Sequence, residues 1–334
     1  MLLNPFDQDA FSLYSLTSGI NRLPNKYDRL GQMGIFANRP VRSRTIFVEE
    51  KNGVLNLLQT QPPGAPGTMN KSSKRKIRSF VIPHIPHDDE ILPAEYMGVR
   101  EFGTEDQLMT LNRVMADHLQ EMKDKHDITL EHLRCGALKG IILDADGTEI
   151  YNLFTEFGIT QKSIDFAFSA DSTDVRAVCF NLSRHIEDNL QGEVMSYVHA
   201  LCSPEFFDAL TGHANVREAF LYQQAATLRD DIRKRFEFGG IVWEEYRGKA
   251  SDREGTSRLF IPANEAVAFP MGTMDTFETA IAPADFLETA NTFGKPYYAK
   301  IEPRKFNRGV DIHTQSNPLP ICKRPEVLVK LTKS

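Results

Sequence analysis

The strongest pattern of apolar and polar positions lies between residues 104 and 135 and predicts one long helix. Thr104, with Gln107 three residues later, has the spacing of a capping box. The first glycine after the series is Gly136. At 1.5 Å per residue, such a helix is roughly 45–50 Å long, well above the usual three turns. Residues of one helix face recur at spacings of three and four; they are Leu108, Leu111, Met115, Leu119, Met122, His126, Leu130 and Leu133.

Residues 41–90 predict a long β-hairpin with a flexible tip. β-Branched and aromatic residues at 45–48 are typical of a strand, and Asn52-Gly53 is a turn signal. The proline- and glycine-rich stretch 61–67 excludes helix and central strand, and a second extended apolar run follows at 80–85. Because a lone two-stranded hairpin is marginal in water, we expect it to lie against another subunit or to pack on the main body.

The first 40 residues show no sustained period of apolar positions. Large apolar residues such as Phe6, Phe11 and Phe36 are scattered among asparagine, proline and glycine. This composition predicts an extended arm, whose apolar side chains need a partner or a neighbouring copy to lie on.

The rest of the chain predicts a hairpin followed by alternating helices and strands. Asp146-Gly147 marks the turn of a hairpin at 141–157, and an apolar helix face from Val175 to Leu190 ends near Gly192. Ser203 and Asn215 are expected to cap two further helices. Strands are expected at 194–202, 236–246, 259–269, 297–301, 310–314 and 327–331.

Composition narrows the class of protein. With 41% hydrophobic and 25% charged residues, wholesale disorder is excluded, and a net charge of −6 gives no drive for broad nucleic-acid or membrane binding. No apolar stretch approaches the roughly 20 residues that span a bilayer, and the first residues are not those of a signal peptide. The four cysteines lie far apart, as expected of reduced thiols in a cytoplasm; they are Cys135, Cys179, Cys202 and Cys322.

No pattern predicts catalysis, a cofactor or a metal site. His132 and Cys135 stand at helical spacing but lack further ligands, so they are expected to be core or groove residues. The Asp144-x-Asp146-Gly147 stretch lacks the glutamate of a calcium loop and predicts a hairpin turn. His84 and His87, with the acids at 88–90, are either a metal-binding loop or, as we favour, a solvated turn.

The densest positive charge is a basic run at the end of the predicted hairpin tip. We expect it to meet an acidic surface on a neighbouring copy, in preference to being merely solvated. The apolar strand residues Ile46 and Val48 are expected to join the same inter-subunit contact. Aspartate at either position should therefore spare folding more than assembly, whereas Leu119→Asp should prevent folding. The basic residues are Lys71, Lys74, Arg75, Lys76 and Arg78.

Two stretches carry a family resemblance. One is Ala137-Leu138-Lys139-Gly140, between the long helix and a strand pair, and the other is Gln315–Pro320 followed by Arg324–Val329. In these stretches and in the order of its parts, the chain resembles the major capsid (head) proteins of lambda-like tailed phages, the capsid protein E family. The resemblance implies an α+β fold of the Hong Kong 97 type. The implied parts are an N-terminal arm (1–40), an E-loop hairpin (41–90), a P-domain with a spine helix (91–160), an A-domain (161–300) and returning P-domain strands (301–334).

The resemblance also implies a structural function without enzymatic activity. Such chains assemble in the host cytoplasm into hexamers and pentamers, and these form the icosahedral virion shell around double-stranded DNA. We expect separate scaffolding, portal and decoration proteins, only weak and non-specific contact with the DNA, and no membrane partner. A covalent crosslink through Lys71, Lys74 or Lys76 is not expected.

Two alternatives remain open on the sequence. One is the shell protein of an encapsulin-like bacterial compartment, which has the same fold. The other is an α/β enzyme with a site around His199, His213 and Glu218, which requires a deep pocket with perturbed titratable groups.

Overall fold

The computed structural model describes residues 12–51, 75–95, 111–170, 172–222, 233–251 and 254–333. Contacts divide the chain into two units. The first unit comprises Met1–Ile46, Val81–His132 and Thr279–Pro320. The second unit comprises Phe47–Phe80, Leu133–Glu278 and Ile321–Ser334.

Helices and strands are both well represented in the described residues. The helices are α1 (Leu13–Arg22), α2 (Arg29–Gln32), α3 (Leu111–Lys139), α4 (Leu153–Phe157), α5 (Val175–Asn189), α6 (Pro204–Gly212) and α7 (Ala214–Tyr222). The first nine strands are β1 (Ala37–Pro40), β2 (Thr45–Lys51), β3 (Arg75–Val81), β4 (Ile85–Ile91), β5 (Ile141–Leu143), β6 (Glu149–Asn152), β7 (Lys162–Asp165), β8 (Tyr197–Cys202) and β9 (Phe236–Phe238). The others are β10 (Ile241–Glu245), β11 (Lys249–Ser251), β12 (Ser257–Leu259), β13 (Glu265–Met271), β14 (Phe277–Ile281), β15 (Tyr298–Pro303), β16 (Val310–Ser316), β17 (Pro318–Cys322) and β18 (Val329–Thr332). No described helix is both long and apolar enough to cross a membrane.

The long helix α3 builds the core of the first unit. It packs on the antiparallel sheet β15-β16-β4, in which Ile312 of the central strand pairs with Ile301 and Asp89. Leu119 is 6% exposed in this core, so the expectation that Leu119→Asp prevents folding stays a prediction. The buried cluster comprises Leu16, Ile20, Ile91, Val114, Met115, Leu119, Met122, Tyr297, Ala299, Val310 and Ile312.

The prediction of one long helix is confirmed from residue 111 onward, and its end differs from expectation. Residues 104–110, with the proposed capping box, lie outside the described residues. The helix runs through Gly136 and ends at Lys139, followed by Gly140 with a φ of +77°. A Cβ at Gly136 would lie 3.0 Å from both the Ile141 carbonyl oxygen and the Ile142 Cα. This glycine therefore allows the returning strand β5 to pass closely and does not end the helix.

The expectation of an extended N-terminal arm is wrong for residues 13–22, which form helix α1. The Ser12 hydroxyl caps this helix by accepting a hydrogen bond from the Ser15 amide at 3.3 Å. Leu16 and Ile20, four residues apart, are 6% and 0% exposed in the core that α3 forms. With only ten residues, the helix is too short for its apolar spacing to be distinguished from scattered apolar positions.

A buried polar network fixes the next segment of the chain on α3. The Lys123 ammonium donates to the Leu23 carbonyl oxygen at 3.0 Å and lies 3.4 Å from an Asp127 carboxylate oxygen. The Tyr297 hydroxyl donates to the other Asp127 oxygen at 2.5 Å. Both side chains of the ion pair are 1% exposed, and burial raises the pKa of Asp127 against the opposing effect of its hydrogen bonds.

Two further contacts continue this attachment toward α2. The Glu131 carboxylate, on a residue 3% exposed, accepts a hydrogen bond from the Leu30 amide at 2.9 Å. Near the other end of the segment, Lys26 pairs with Asp124 at 2.5 Å. Residues 23–32 therefore lie along the polar side of α3 within one subunit.

The second unit contains the predicted alternation of helices and strands. Its six-stranded sheet has the order β7-β18-β13-β8-β10-β9, with β8 parallel to β10 and β18 parallel to β7. Ser203 caps α6 as predicted, accepting from the Phe206 amide at 3.3 Å. Asn215 does not cap α7, because the helix begins at Ala214 and the Asn215 side-chain Nδ2 donates to the Thr173 carbonyl oxygen at 2.9 Å.

The sequence predicts turns at two polar stretches, and the structure confirms only one of them. The predicted turn at His84–Glu90 is wrong beyond residue 84, because Ile85–Ile91 is strand β4, paired along its length with β16. The predicted turn at Asp144–Gly147 is confirmed. The Asp146 carboxylate accepts from the Thr148 amide at 2.8 Å, and the Gly147 amide donates to the Asp144 carbonyl oxygen at 3.0 Å.

The burial of α1 predicts the effect of shortening one of its side chains. Ile20→Ala should lower the free energy of unfolding by about 2–4 kcal/mol, since it removes buried methyl groups and leaves a cavity. Urea unfolding of unassembled subunits measures this. Tyr14→Ala, at a residue 76% exposed on the same helix, is the matched control and should change stability by no more than about 0.5 kcal/mol. Equal effects of the two substitutions would contradict the packing of α1.

Two histidines of α3 predict opposite dependences of stability on pH. His126 is 3% exposed and lies 3.0 Å from the Thr314 hydroxyl; burial, with smaller effects from His87 and His313, lowers its pKa to about 3. Below the unfolded-state pKa near 6.5, the unfolded chain therefore binds the proton more readily. Folding stability should fall as the pH is lowered from 6.5 toward 3, and His126→Gln should flatten this part of the urea-midpoint profile.

His118 serves as the matched control for His126. Burial opposes its protonation, but hydrogen bonds and charges from Asp89 at 2.7 Å and Glu95 at 3.0 Å outweigh burial and raise its pKa. Its contribution to stability is present below pH 6.5 and is lost as the pH rises through the raised folded-state pKa. His118→Gln should therefore flatten the alkaline side of the profile. Flattening of the same side by both variants would contradict these assignments.

Candidate inter-subunit surface

Strands β2 and β3 pair in a two-stranded sheet, as the predicted hairpin requires, and this pair, called the hairpin below, presents apolar side chains to solvent. The predicted hairpin tip, residues 52–74, lies outside the described residues. Successive side chains of a strand point to opposite faces. In β2, Val48 is 4% exposed, whereas its neighbour Phe47 is 61% exposed. In β3, Phe80 is 0% exposed and Ile77 is 62% exposed. The hairpin therefore has a buried face and an exposed apolar face.

The burial of Ile46 and Val48 corrects one sequence-based expectation. Each residue is 4% exposed in the single chain, so neither has much surface to offer a neighbour. This burial predicts instead that aspartate at either position impairs folding as well as assembly, because the introduced carboxylate would be buried without a partner. Thr45-Ile46-Phe47-Val48 is apolar on both faces, and alternation alone does not decide which face points inward.

Strand β3 is held to the second unit by an aromatic cluster and by Arg78. The buried Phe80 ring lies edge-on to Tyr151, with ring centroids 5.2 Å apart, and stacks against Phe157 at 6.3 Å. The Arg78 guanidinium donates to the Glu156 carbonyl oxygen at 2.7 Å and lies 4.4 Å from the centre of the Phe157 ring. One end of the hairpin is thus firmly packed on its own chain.

The structure describes only part of the basic run that was expected to contact a neighbouring copy. Lys71 and Lys74 lie outside the described residues, and Arg75 begins β3. Lys76 is exposed, and Arg78 is engaged by its own unit. A contact of this run with a neighbouring copy stays a prediction.

The three residues proposed for an enzyme site, His199, His213 and Glu218, do not share one pocket: two are buried in the fold and one is exposed. His199 on β8 lies 3.3 Å from Glu244 on β10, and their side chains are 5% and 7% exposed inside the sheet. His213 is 5% exposed beside the Ala170 carbonyl oxygen, and Glu218 is exposed. Among the described residues there is no group of three histidine, cysteine or acidic side chains able to hold a metal ion.

A cavity in the described part of the second unit does not gather these residues either. Its volume is about 490 Å³, and its lining includes Arg176, Phe180, Arg235 and Glu237 but not His199, His213 or Glu218. Cys135 on α3 is fully buried, with its sulfur 3.5 Å from the Phe260 carbonyl oxygen. His199, His213 and Cys135 are therefore core residues of the second unit, whereas Glu218 lies at its surface.

Two curated relatives are similar to this sequence over almost its whole length. The family model described as phage major capsid protein E matches residues 12–333. The major capsid protein of Pseudomonas phage KPP10 is 30% identical, and the match covers 98% of each chain. The major capsid protein of Salmonella phage Felix O1 is 29% identical, again over 98% of each chain.

Solved structures agree on the fold. A capsid protein of a prophage from E. coli CFT073 is similar with a TM-score of 0.62 at 16% identity, covering 96% of this chain and 99% of that one. The mature capsid of bacteriophage PhiM1 is similar with a TM-score of 0.52 at 14% identity, covering 93% and 88%. At such low identities these structures establish the Hong Kong 97-type fold that the sequence predicts.

Sequence and fold therefore lead to one assignment, and they do not favour the compartment shell or the enzyme. The chain belongs to the phage major capsid protein E family, and it is a major capsid protein that forms the shell of a phage head as part of the virion.

Proposed function

We propose that this chain assembles into hexamers and pentamers that close an icosahedral shell around double-stranded DNA. The observation that carries the proposal is the exposed apolar face of the β2-β3 hairpin, where Phe47 and Ile77 are 61% and 62% exposed. A surface of this kind that fits a different surface on the next copy gives a heterologous contact, and such contacts propagate until the assembly closes.

We assign the parts of the fold as follows. The E-loop spans 41–90, the P-domain with α3 as its spine spans 91–160 and resumes at 301–334, and the A-domain spans 161–300. Two features modify this assignment. Strand β18 belongs to the six-stranded sheet of the second unit through pairing with β13, so the A-domain sheet extends to residue 332. The arm assigned to 1–40 is helical at 13–22.

We also propose the partners of the shell. Scaffolding, portal and decoration proteins are separate chains, and the packaged DNA makes only weak, non-specific contact, in keeping with the net charge of −6. The work of the chain is mechanical, without enzymatic activity.

Electron microscopy of the purified, overexpressed chain tests the proposal. Shells, tubes or ring-shaped capsomers are expected. A chain that stays strictly monomeric at all concentrations and salt conditions would contradict it.

Two adjacent residues of β2 separate assembly from folding. Phe47→Asp should leave the free energy of unfolding within about 0.5 kcal/mol of the original and reduce sedimentable particles several-fold, because the carboxylate enters an exposed contact face. Val48→Asp is the matched substitution one position away. It should cost about 3 kcal/mol or more, because it buries an unpaired charge. Undiminished particle yield from Phe47→Asp would refute the assignment of this face.

The shell is expected to be held by non-covalent contacts alone. Purified particles that are boiled and reduced should run on a denaturing gel as a single band of the subunit. A ladder of multiples would instead show a covalent crosslink, and replacing Lys71, Lys74 and Lys76 by arginine would then test whether one of these lysines forms it.

A further inference from the structure

A short loop of the first unit presents an aromatic side chain in a constrained conformation. Residues 304–309 join β15 to β16, and Phe306 is 89% exposed at their tip. Phe306 and its neighbour Asn307 have φ angles of +63° and +52°. This left-handed region is unfavourable for a bulky side chain, and residues held there tend to cluster at functional positions.

The loop is held rigidly by its own base. The Arg304 amide donates to the Gly309 carbonyl oxygen at 3.0 Å, and the Asn307 amide donates to the Arg304 carbonyl oxygen at 3.0 Å. The Arg304 guanidinium bonds Asp311 at 2.7 Å and also pairs with Glu90. The exposed ring is therefore pre-organised, which lowers the entropic cost of binding.

The tip combines an aromatic ring with positive charge. Lys305 and Arg308, on either side of Phe306, are both exposed. The Arg308 guanidinium lies 5.6 Å from the centre of the Phe306 ring. Aromatic and arginine side chains are the residue types that most often dominate binding energy at protein interfaces. A matching surface would be concave, acidic and apolar at its floor.

The same unit contains a groove with these properties. Its volume is about 1180 Å³, and its apolar lining includes Phe286, Ile301 and Ile312. The basic residues in the lining are Lys300 and Arg304. Six carboxylates against two cations give the lining a formal charge of −4 with neutral histidines. The carboxylates belong to Asp88, Asp89, Glu90, Asp285, Glu302 and Asp311.

Two of these carboxylates are available to an incoming cation. Asp88 pairs with His313, Asp89 with His118, and Glu90 and Asp311 with Arg304. Within the described part of the chain, neither Asp285 nor Glu302 forms an ion pair, and both are exposed. These two carboxylates could pair with the two exposed cations beside Phe306, Lys305 and Arg308.

We propose that the Phe306 loop of one copy docks into this acidic groove of a second copy of the chain. Phe306 does not fill the groove of its own subunit, because its ring is 89% exposed. The complementary charges of loop and groove favour another copy as the occupant. The proposal rests on the proposed function in one respect only, namely that copies of the chain associate.

Disulfide crosslinking between engineered cysteines tests the docking proposal, because the native thiols are buried. All four cysteines are buried, so an engineered pair has no exposed native thiol to compete with it. Subunits carrying Phe306→Cys are assembled with subunits carrying Glu302→Cys under mild oxidation, and non-reducing gels report the dimer. The matched control replaces Glu302→Cys by Met274→Cys, at a residue 91% exposed in the second unit. The Phe306–Glu302 pair should give at least tenfold more dimer than the control.

A charge exchange provides the second readout. Lys305→Glu with Arg308→Glu should reduce particle yield at least fivefold while leaving the urea midpoint unchanged. Asp285→Lys with Glu302→Lys should do the same. Combining all four substitutions should restore the yield to within about twofold of the original, because the charges are complementary again.

The possible outcomes separate the two proposals. Particles from the original chain, with no excess of the Phe306–Glu302 dimer and no restoration by charge exchange, would overturn the docking proposal and leave the shell intact. Failure of the original chain to form particles or capsomers would contradict the proposed function itself. If the loop variants instead lose only retention of double-stranded DNA, measured by filter binding, the loop is a phosphate contact and the docking proposal is wrong.

Discussion

The subunit depends on an ion pair within its long helix that is buried where the N-terminal segment packs against that helix. Lys123 and Asp127 are each 1% exposed, and such a pair is tolerated only when further partners satisfy its remaining hydrogen-bonding groups. The Leu23 carbonyl oxygen, in the N-terminal segment, and the Tyr297 hydroxyl, just before β15, supply those partners. Residues far apart in the chain therefore meet at one helix, and loss of any one of them leaves a buried charge uncompensated.

Because the N-terminal segment packs on α3 of its own chain, it does not depend on a neighbouring subunit for its stability. Helix α1 and residues 23–32 obtain their stability from α3 of the same chain, through the core around Ile20 and the contact between Glu131 and Leu30. The hairpin is different, because only one of its faces is packed and Phe47 and Ile77 remain in solvent. Of the two segments expected to contact neighbouring copies, the hairpin keeps an exposed apolar face, whereas residues 13–32 pack on α3 of their own chain and residues 1–11 lie outside the described part.

The sequence predicted elements whose pattern is long or whose turn chemistry is distinctive. Helix α3 has apolar positions over many turns, and Ser203-Pro204 marks a helix start whose capping bond is present in the structure. Helix α1 was missed because ten residues hold too few repeats. Strand β4 was missed because His87, Asp88, Asp89 and Glu90 fill its middle, and their role becomes visible only when β16 pairs beside them.

The surfaces were harder to predict than the elements. Lys123 and Asp127 have the same spacing as a solvated helix pair, and nothing local distinguishes a buried pair from an exposed one. In β2, Phe47 lies on the exposed face and Ile46 and Val48 on the buried one, a choice that alternation alone does not make. Phe306 carries no local signal for its left-handed backbone, because that conformation is imposed by the contacts of Arg304 and Gly309. In the first two cases the deciding factor is a tertiary contact, and in the third it is the closure of the loop by its own base.

The central claim is that helix α1 is stabilised within its own subunit, whereas the hairpin is completed by a neighbour. Hydrogen exchange, compared between unassembled subunits and assembled particles, tests this claim most directly. The account predicts that amides of residues 13–22 are equally protected in both states, because their helix packs within its own subunit. Amides of strands β2 and β3 should exchange at least tenfold more slowly in particles, where a sister subunit covers them. Equal protection of the hairpin in both states, or protection of residues 13–22 that appears only on assembly, would contradict the account.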